Sequence, residues 1–130
     1  MIVFDASAMV EALVGRDVDD ALLTSLTGDV AVPHLLDIDV QSALRGLVMG
    51  GRLTVAEAVD AHSDYTALTL VRYDAQPLLD RMWQLRHQFT TYDACYLALA
   101  EGLGVPLLTC DAKLASGSHR AEVWAHPRSS

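Results

Sequence analysis

The stretch TTYDACYLALAEGLG, residues 90–104, restricts the possible folds more than any other part of the chain. A helix drawn through it carries apolar side chains on nearly every turn, so most of its surface must be covered by protein. One carboxylate, Asp93, stands in its first turn. An acid at the head of a buried helix either caps it or belongs to a site, and the Thr90/Asp93 spacing also suits a capping box. Around this helix the chain alternates short, wholly apolar runs with helical segments. Residues 1–4, 30–32, 68–71 and 105–109 read as strands, and 123–124 as a short fifth. Strands this apolar are buried on both faces, which implies α/β architecture with a parallel sheet between two helical layers.

The connecting segments carry their own signals. Ser7 is placed to cap a helix that runs to Val14 and stops at Gly15. Residues 17–26 are acidic and then apolar, a short surface helix. From 35 to 49 a stripe of Leu36, Val40, Ala43, Leu44 and Leu47 has helical spacing and ends at Gly50-Gly51. Thr54 and Glu57 form a capping box for a helix through Tyr65. Residues 75–87 read as a further helix, 111–115 as a helical turn and 127–130 as a frayed tail. With 130 residues and no linker or repeat, residues 1–130 form a single domain.

Composition removes several function classes. The net charge of −8 leaves no large basic face for gripping nucleic acid. It is compatible with an enzyme that gathers acids around a cation. A hydrophobic fraction of 52% and a mean hydropathy of +0.25 imply that a second chain covers part of the surface. Cys95 and Cys110 lie inside apolar runs without CxxC spacing, as small hydrophobes of a reducing compartment do. No secretory leader is visible and no apolar run reaches membrane-spanning length, so the expected location is cytoplasmic, away from membranes.

Sheets of this kind work beyond the carboxyl ends of their strands, near the point where strand order reverses. Asp5 follows the first strand and Asp111 the fourth. Each has a plain alternative as a helix cap. Asp39 is harder to explain as structure, because aspartate is a poor helix former in a helix interior. Asp37 and Asp39 flank the same apolar stripe, and their neighbours separate them. Asp39 shares its flank with Ser42, Ala43 and Gly46, whose small size leaves room for another element, so Asp39 is the inward acid and Asp37 the solvated one.

In order along the chain stand a strand ending in DAS, a proline followed six residues later by an acid, the helix YDACYLALA and the strand end LLTCD. Together they resemble the PIN-domain ribonucleases, most closely the VapC-type toxins of toxin–antitoxin pairs, over almost the whole chain. The resemblance implies a PIN-like three-layer α/β/α sandwich with a central parallel sheet of four to five short strands. It also implies a metal-dependent endoribonuclease that hydrolyses RNA phosphodiester bonds. Its acidic site would be Asp5, Asp39, Asp93 and Asp111, with Ser7 and Thr109 as hydroxyls supporting the metal or its water. Asp5 and Asp93 would bind the metal most directly, Asp111 would complete the shell, and Asp39 would orient a water. The second acid is usually Glu in the family and is one methylene shorter here. The expected cofactor is Mg²⁺, with Mn²⁺ possible; the expected partners are RNA, a VapB-type antitoxin and a second copy of the chain. Mg²⁺ takes oxygen ligands and keeps several waters, so a few carboxylates suffice. The five histidines show no paired metal-ligand spacing.

Weaker candidates are His34 and the cations Arg45, Arg52, Lys113 and Arg120, which are equally ordinary solvated charges. Trp83 and Tyr92 could stack bases, although a core position is the default for both. The alternative function is a catalytically inactive PIN-like binding module. A response-regulator-like phosphoryl-transfer protein would need an acidic pair after the first strand and a lysine after the last, and neither is present.

Overall fold

In the computed structural model, which describes residues 1–129, five parallel strands form one sheet in the order β3-β2-β1-β4-β5. The strands are β1 Ile2–Phe4, β2 Val30–Pro33, β3 Leu70–Tyr73, β4 Leu107–Thr109 and β5 Val123–Ala125. The helices are α1 Ala6–Val14, α2 Asp20–Ser25, α3 Leu35–Met49, α4 Val55–Ala67, α5 Leu79–Gln84 and α6 Thr91–Leu103. The chain builds leftward from β1 through β2 to β3, then crosses back to lay β4 on the other side of β1. Strand order therefore reverses between β1 and β4, and loops leaving that point diverge to opposite faces.

The three central strands are buried along their whole length because helices cover both sides. α1 packs with α3 and α4, while α5 packs with α6, which lies across β1, β2 and β4. Right-handed crossovers put these two groups on opposite faces of the sheet, which gives the three-layer sandwich. α6 is the most buried helix, with seven consecutive buried residues from Ala94 to Ala100. It ends where Gly104 adopts a left-handed φ of 66°, a conformation that costs a side chain little only when there is none.

Several expected boundaries move. Asp5, not Ser7, is the N-cap of α1: its side chain accepts from the N–H of Ala8, and Ser7 lies inside the helix. A carboxylate one residue before the helix reaches that N–H, which frees the Ser7 hydroxyl for other partners. α4 runs two residues beyond Tyr65, to Ala67, so β3 begins at Leu70 instead of Leu68. β4 starts at Leu107, after Pro106. The helix expected over 75–87 is a 3-10 turn at Gln76–Leu78 followed by only six residues of α5. Pro77 sits at the start of that turn, where its missing N–H does no harm.

The tail is tied down rather than frayed. The N–H and hydroxyl of Ser129 both donate to Glu11 Oε2, at 3.0 and 2.7 Å. The last residue of the expected tail, Ser130, lies outside the described residues. Among the described residues no helix is long and apolar enough to cross a membrane.

Candidate active site

Asp5 is the centre of the polar network at the carboxyl mouth of the sheet. It leaves β1 as α1 begins, is only 4% exposed, and has both carboxylate oxygens occupied. Oδ1 accepts from the Ser7 hydroxyl at 2.7 Å and from the Ala8 N–H at 2.9 Å. Oδ2 accepts from the Thr109 hydroxyl at the end of β4. The hydroxyls of Ser7 and Thr109 lie 3.3 Å apart, but each has given its single proton to Asp5, so they hold the carboxylate from two sides. Each hydroxyl also accepts from the chain leaving β4: Ser7 Oγ from the Cys110 N–H and Thr109 Oγ1 from the Asp111 N–H. The ends of β1 and β4 are thus laced together at the switch point. Burial pushes the Asp5 carboxyl above its ordinary value, the three donors hold it down, and the charge of Asp111 pushes it up again.

The other three acids are less enclosed. Asp93 lies in the first turn of α6, half-buried. Thr90 caps that helix by accepting from the Asp93 N–H, with no reciprocal bond from the Thr90 N–H to the Asp93 carboxylate among the described residues. The capping-box alternative for Asp93 is therefore only half formed. Its carboxyl is raised by burial first and then by the charges of Asp5, Asp111 and Asp39. Three other segments thus bring carboxylates within electrostatic reach of Asp93. Asp111 caps the short helical turn after β4 by accepting from the Lys113 N–H. Asp39, in the second turn of α3, is joined to the site by Tyr96, whose hydroxyl donates to it at 2.6 Å.

Tyr96 is a residue the sequence reading passed over. It is buried one turn after Asp93 on α6, and its phenol is pushed far up by burial and by its bond to Asp39. The signal was available: a tyrosine inside an otherwise apolar helix must find a partner for its hydroxyl. Cys95, beside it, is pushed up to about 11 by burial and the Asp39 charge, which leaves it an inert thiol. Cys110 is only half-buried, so it is less of a core residue than its apolar run suggested.

Asp37 is not simply solvated. It accepts from Tyr65 and, through both oxygens, from Arg72 at 2.9 Å, in a bidentate pair. Trp83 and Tyr92 are 68% and 61% exposed, so neither takes the core position that is the default for these residues. Trp83 is covered on one face by the Arg86 guanidinium at 4.5 Å. His34 is a surface residue 3.3 Å from Asp74.

A family description, the PIN domain, matches residues 2–118. The chain belongs to the PIN-domain family. This PIN domain is 39% identical to "Ribonuclease VapC12" of Mycobacterium tuberculosis over 125 residues, covering 95% of this chain and 97% of that protein. Among solved structures it resembles PAE2754 of Pyrobaculum aerophilum, with a TM-score of 0.71 at 21% identity over 94% of this chain and 82% of that one. It also resembles a toxin–antitoxin complex from Klebsiella pneumoniae, with a TM-score of 0.61 at 17% identity over 90% of this chain and 92% of that one. Both solved structures share the fold of this PIN domain.

The donor set suits a hard cation. Among the described residues no three His, Cys, Asp or Glu side chains converge closely enough to form a ready-made cage. A cation held here would draw most of its coordination from water. That is compatible with Mg²⁺, which keeps most of its waters and is held by one or two carboxylates. Asp93, half-buried at the head of α6 with only the Thr90 side chain pulling its carboxyl down, is the carboxylate most available to such an ion. Asp5 is the one most rigidly aimed.

Proposed function

We propose that the chain is an endoribonuclease that hydrolyses RNA phosphodiester bonds with a bound divalent cation, Mg²⁺ or Mn²⁺, as the toxic member of a toxin–antitoxin pair. The observation that carries this reading is the Asp93 carboxyl, raised first by burial and then by the charges of Asp5, Asp111 and Asp39, with only the Thr90 side chain acting against them. Such an arrangement opposes folding unless something positive is bound. When bound, a divalent cation supplies an activated water and relief of charge on the leaving oxygen. The chain's own residues do the rest. Ser7, Thr109 and the Ala8 N–H fix the orientation of Asp5. Tyr96 fixes Asp39, which is too short to reach far and orients a water instead. Asp93 and Asp111 flank Asp5 from α6 and from the loop after β4.

The partners follow from the surface. Ile38, Met49, Val55 and Val59 are 60–72% exposed on α3 and α4, an apolar face that suits a second copy of the chain or an antitoxin segment. The test of the chemistry is cleavage of a single-stranded RNA with Mg²⁺, with Mn²⁺ and with EDTA, alongside Asp93→Asn. Cleavage should need the ion and vanish in the variant. Equal cleavage in EDTA would discard the metal, and RNA binding without cleavage in any condition would make the domain a binding module.

A further inference from the structure

The segment after β5 is a strap rather than a loose end, and it carries a cation to a groove that opens beside Ser7. It begins at His126, whose N–H donates to the Thr109 carbonyl at 2.8 Å, directly behind the hydroxyl that holds Asp5. It ends on Ser129, which gives both its N–H and its hydroxyl to Glu11 Oε2 and receives the Arg16 N–H at 2.9 Å. Glu11 is 7% exposed on α1 and forms no ion pair among the described residues, so these donors are what satisfies it. Gly15 gives the carboxylate room: a Cβ there would lie 2.7 Å from Glu11 Oε2.

Between the two anchors stands Arg128. With Arg16 and Arg52 it lines a groove of about 1280 Å³ between α1 and α3 that reaches Ser7 at the acidic mouth. That volume exceeds the roughly 300–1,000 Å³ of small-ligand pockets and suits a chain molecule. Three of the nine lysines and arginines of a chain with net charge −8 meet in this groove. The one acid lining it, Glu11, is engaged by Ser129. On its other side the strap faces Asp17, Asp19 and Asp20 across a second cavity, yet no ion pair joins them to Arg128 among the described residues.

We propose that Arg128 is a positioning residue that binds a phosphate of the RNA strand in the groove beside the acidic mouth, held there by the Glu11–Ser129 anchor. The inference rests on the ribonuclease reading and deepens it. A polyanion approaching four carboxylates needs a cation next to the phosphate that must come closest. An acidic peptide has no such reason to approach the mouth, so RNA is the occupant the charge pattern favours.

The test is binding of a fluorescent single-stranded RNA with 2′-O-methyl sugars to the full chain in EDTA, by anisotropy across a salt series. Arg128→Gln should weaken binding several-fold at low salt and flatten the slope of log K against log[salt] by about 0.7, the loss of one phosphate contact to a single strand. Arg128→Lys should restore the slope, because charge alone releases the counterion. Thermal unfolding should be the same in all three, which a structural role would not give. A glutamine variant with the affinity and slope of the unmodified chain would overturn the proposal, as would an unmodified chain that binds no RNA. So would an unchanged RNA slope with weakened binding of a polyglutamate peptide, which would assign the groove to an acidic protein. Cleavage measured separately judges the nuclease reading, so the two can fail independently.

Discussion

Asp37 accepts hydrogen bonds from Tyr65 and from two nitrogens of Arg72, whereas Asp39, two residues further along α3, has only the Tyr96 hydroxyl among the described residues. The Arg72 bond holds the Asp37 carboxyl below its ordinary range, with Tyr65 adding to it. At the sheet mouth the balance is reversed: Asp93 is raised by burial and by Asp5, Asp111 and Asp39. An acid that serves the fold has its counter-charge supplied by the chain. Asp93 is instead pushed up by its acidic neighbours, and under the proposed function a bound cation supplies the counter-charge. That difference between two acidic regions is what separates a structural carboxylate from one in a site.

The largest expected effect comes from removing a mouth acid. Asp93→Asn should lower RNA cleavage by more than about 100-fold, since even the outer partners of metal ligands cost 10–100-fold. The same variant should unfold at the same or a higher temperature in EDTA, because it removes a repelled charge. A loss of activity accompanied by a lower melting temperature would place Asp93 with the structural acids. Next in size is the response to the cation. Mg²⁺ at about 100 times its Kd should stabilise the unmodified chain by roughly 2.7 kcal/mol, read as a rise in melting temperature, and Asp93→Asn should abolish most of that rise. A shift of equal size in the variant would move the ion elsewhere.

Smaller, but of opposite kind, is the effect of disturbing the cradle under Asp5. Thr109→Val keeps the shape of the side chain while removing the donor to Asp5 Oδ2 and the acceptor for the Asp111 N–H. Leaving those buried groups unpaired should cost about 1–3 kcal/mol in urea unfolding. Asp5→Asn should cost a similar amount, since one amide oxygen cannot replace two carboxylate oxygens that accept three bonds. Asp5 therefore combines both kinds of acid: its orientation is fixed by the fold while its charge is left to the site. A neutral outcome for Thr109→Val would mean that the lacing between β1 and β4 contributes little.

Much of this was legible in the sequence because it depended on local pattern. Apolar runs bounded by Asp5, Pro33 and Cys110 marked strands, and the breadth of the apolar surface on 90–104 marked α6. The small residues beside Asp39 were a poorer guide, since Ser42 and Gly46 are exposed and it is Tyr96 of α6 that meets Asp39. What escaped depended on contacts between distant segments. Nothing near Asp37 in sequence announces Tyr65 or Arg72, 28 and 35 residues away. The tail looked loose because its anchor, Glu11, is 118 residues earlier. Ser7 was assigned the cap because hydroxyl and carboxylate caps one or two residues apart look alike until the helix start is known.

The smallest effect sharpens the contrast most, because it turns on sign. The Asp37 carboxyl is lowered in the folded protein, so its contribution to stability is present above the ordinary value of 3.8 and lost as pH falls through the folded value. The Asp93 carboxyl is raised, so the folded form is favoured below 3.8 and loses that advantage as pH rises through the folded value. Arg72→Gln should therefore destabilise the chain near neutral pH and lose its effect in acid. In EDTA, Asp93→Asn should stabilise near neutral pH, and that gain should also fade in acid. The Arg72 effect should be at most about 1 kcal/mol, since the pair is a third or more exposed and solvent screens it, and it should shrink with added salt. Urea unfolding of the two variants from acid to neutral pH would show difference curves of opposite sign that converge at low pH. Curves of the same sign would mean that the two acidic regions of the molecule do not differ in the way their surroundings imply.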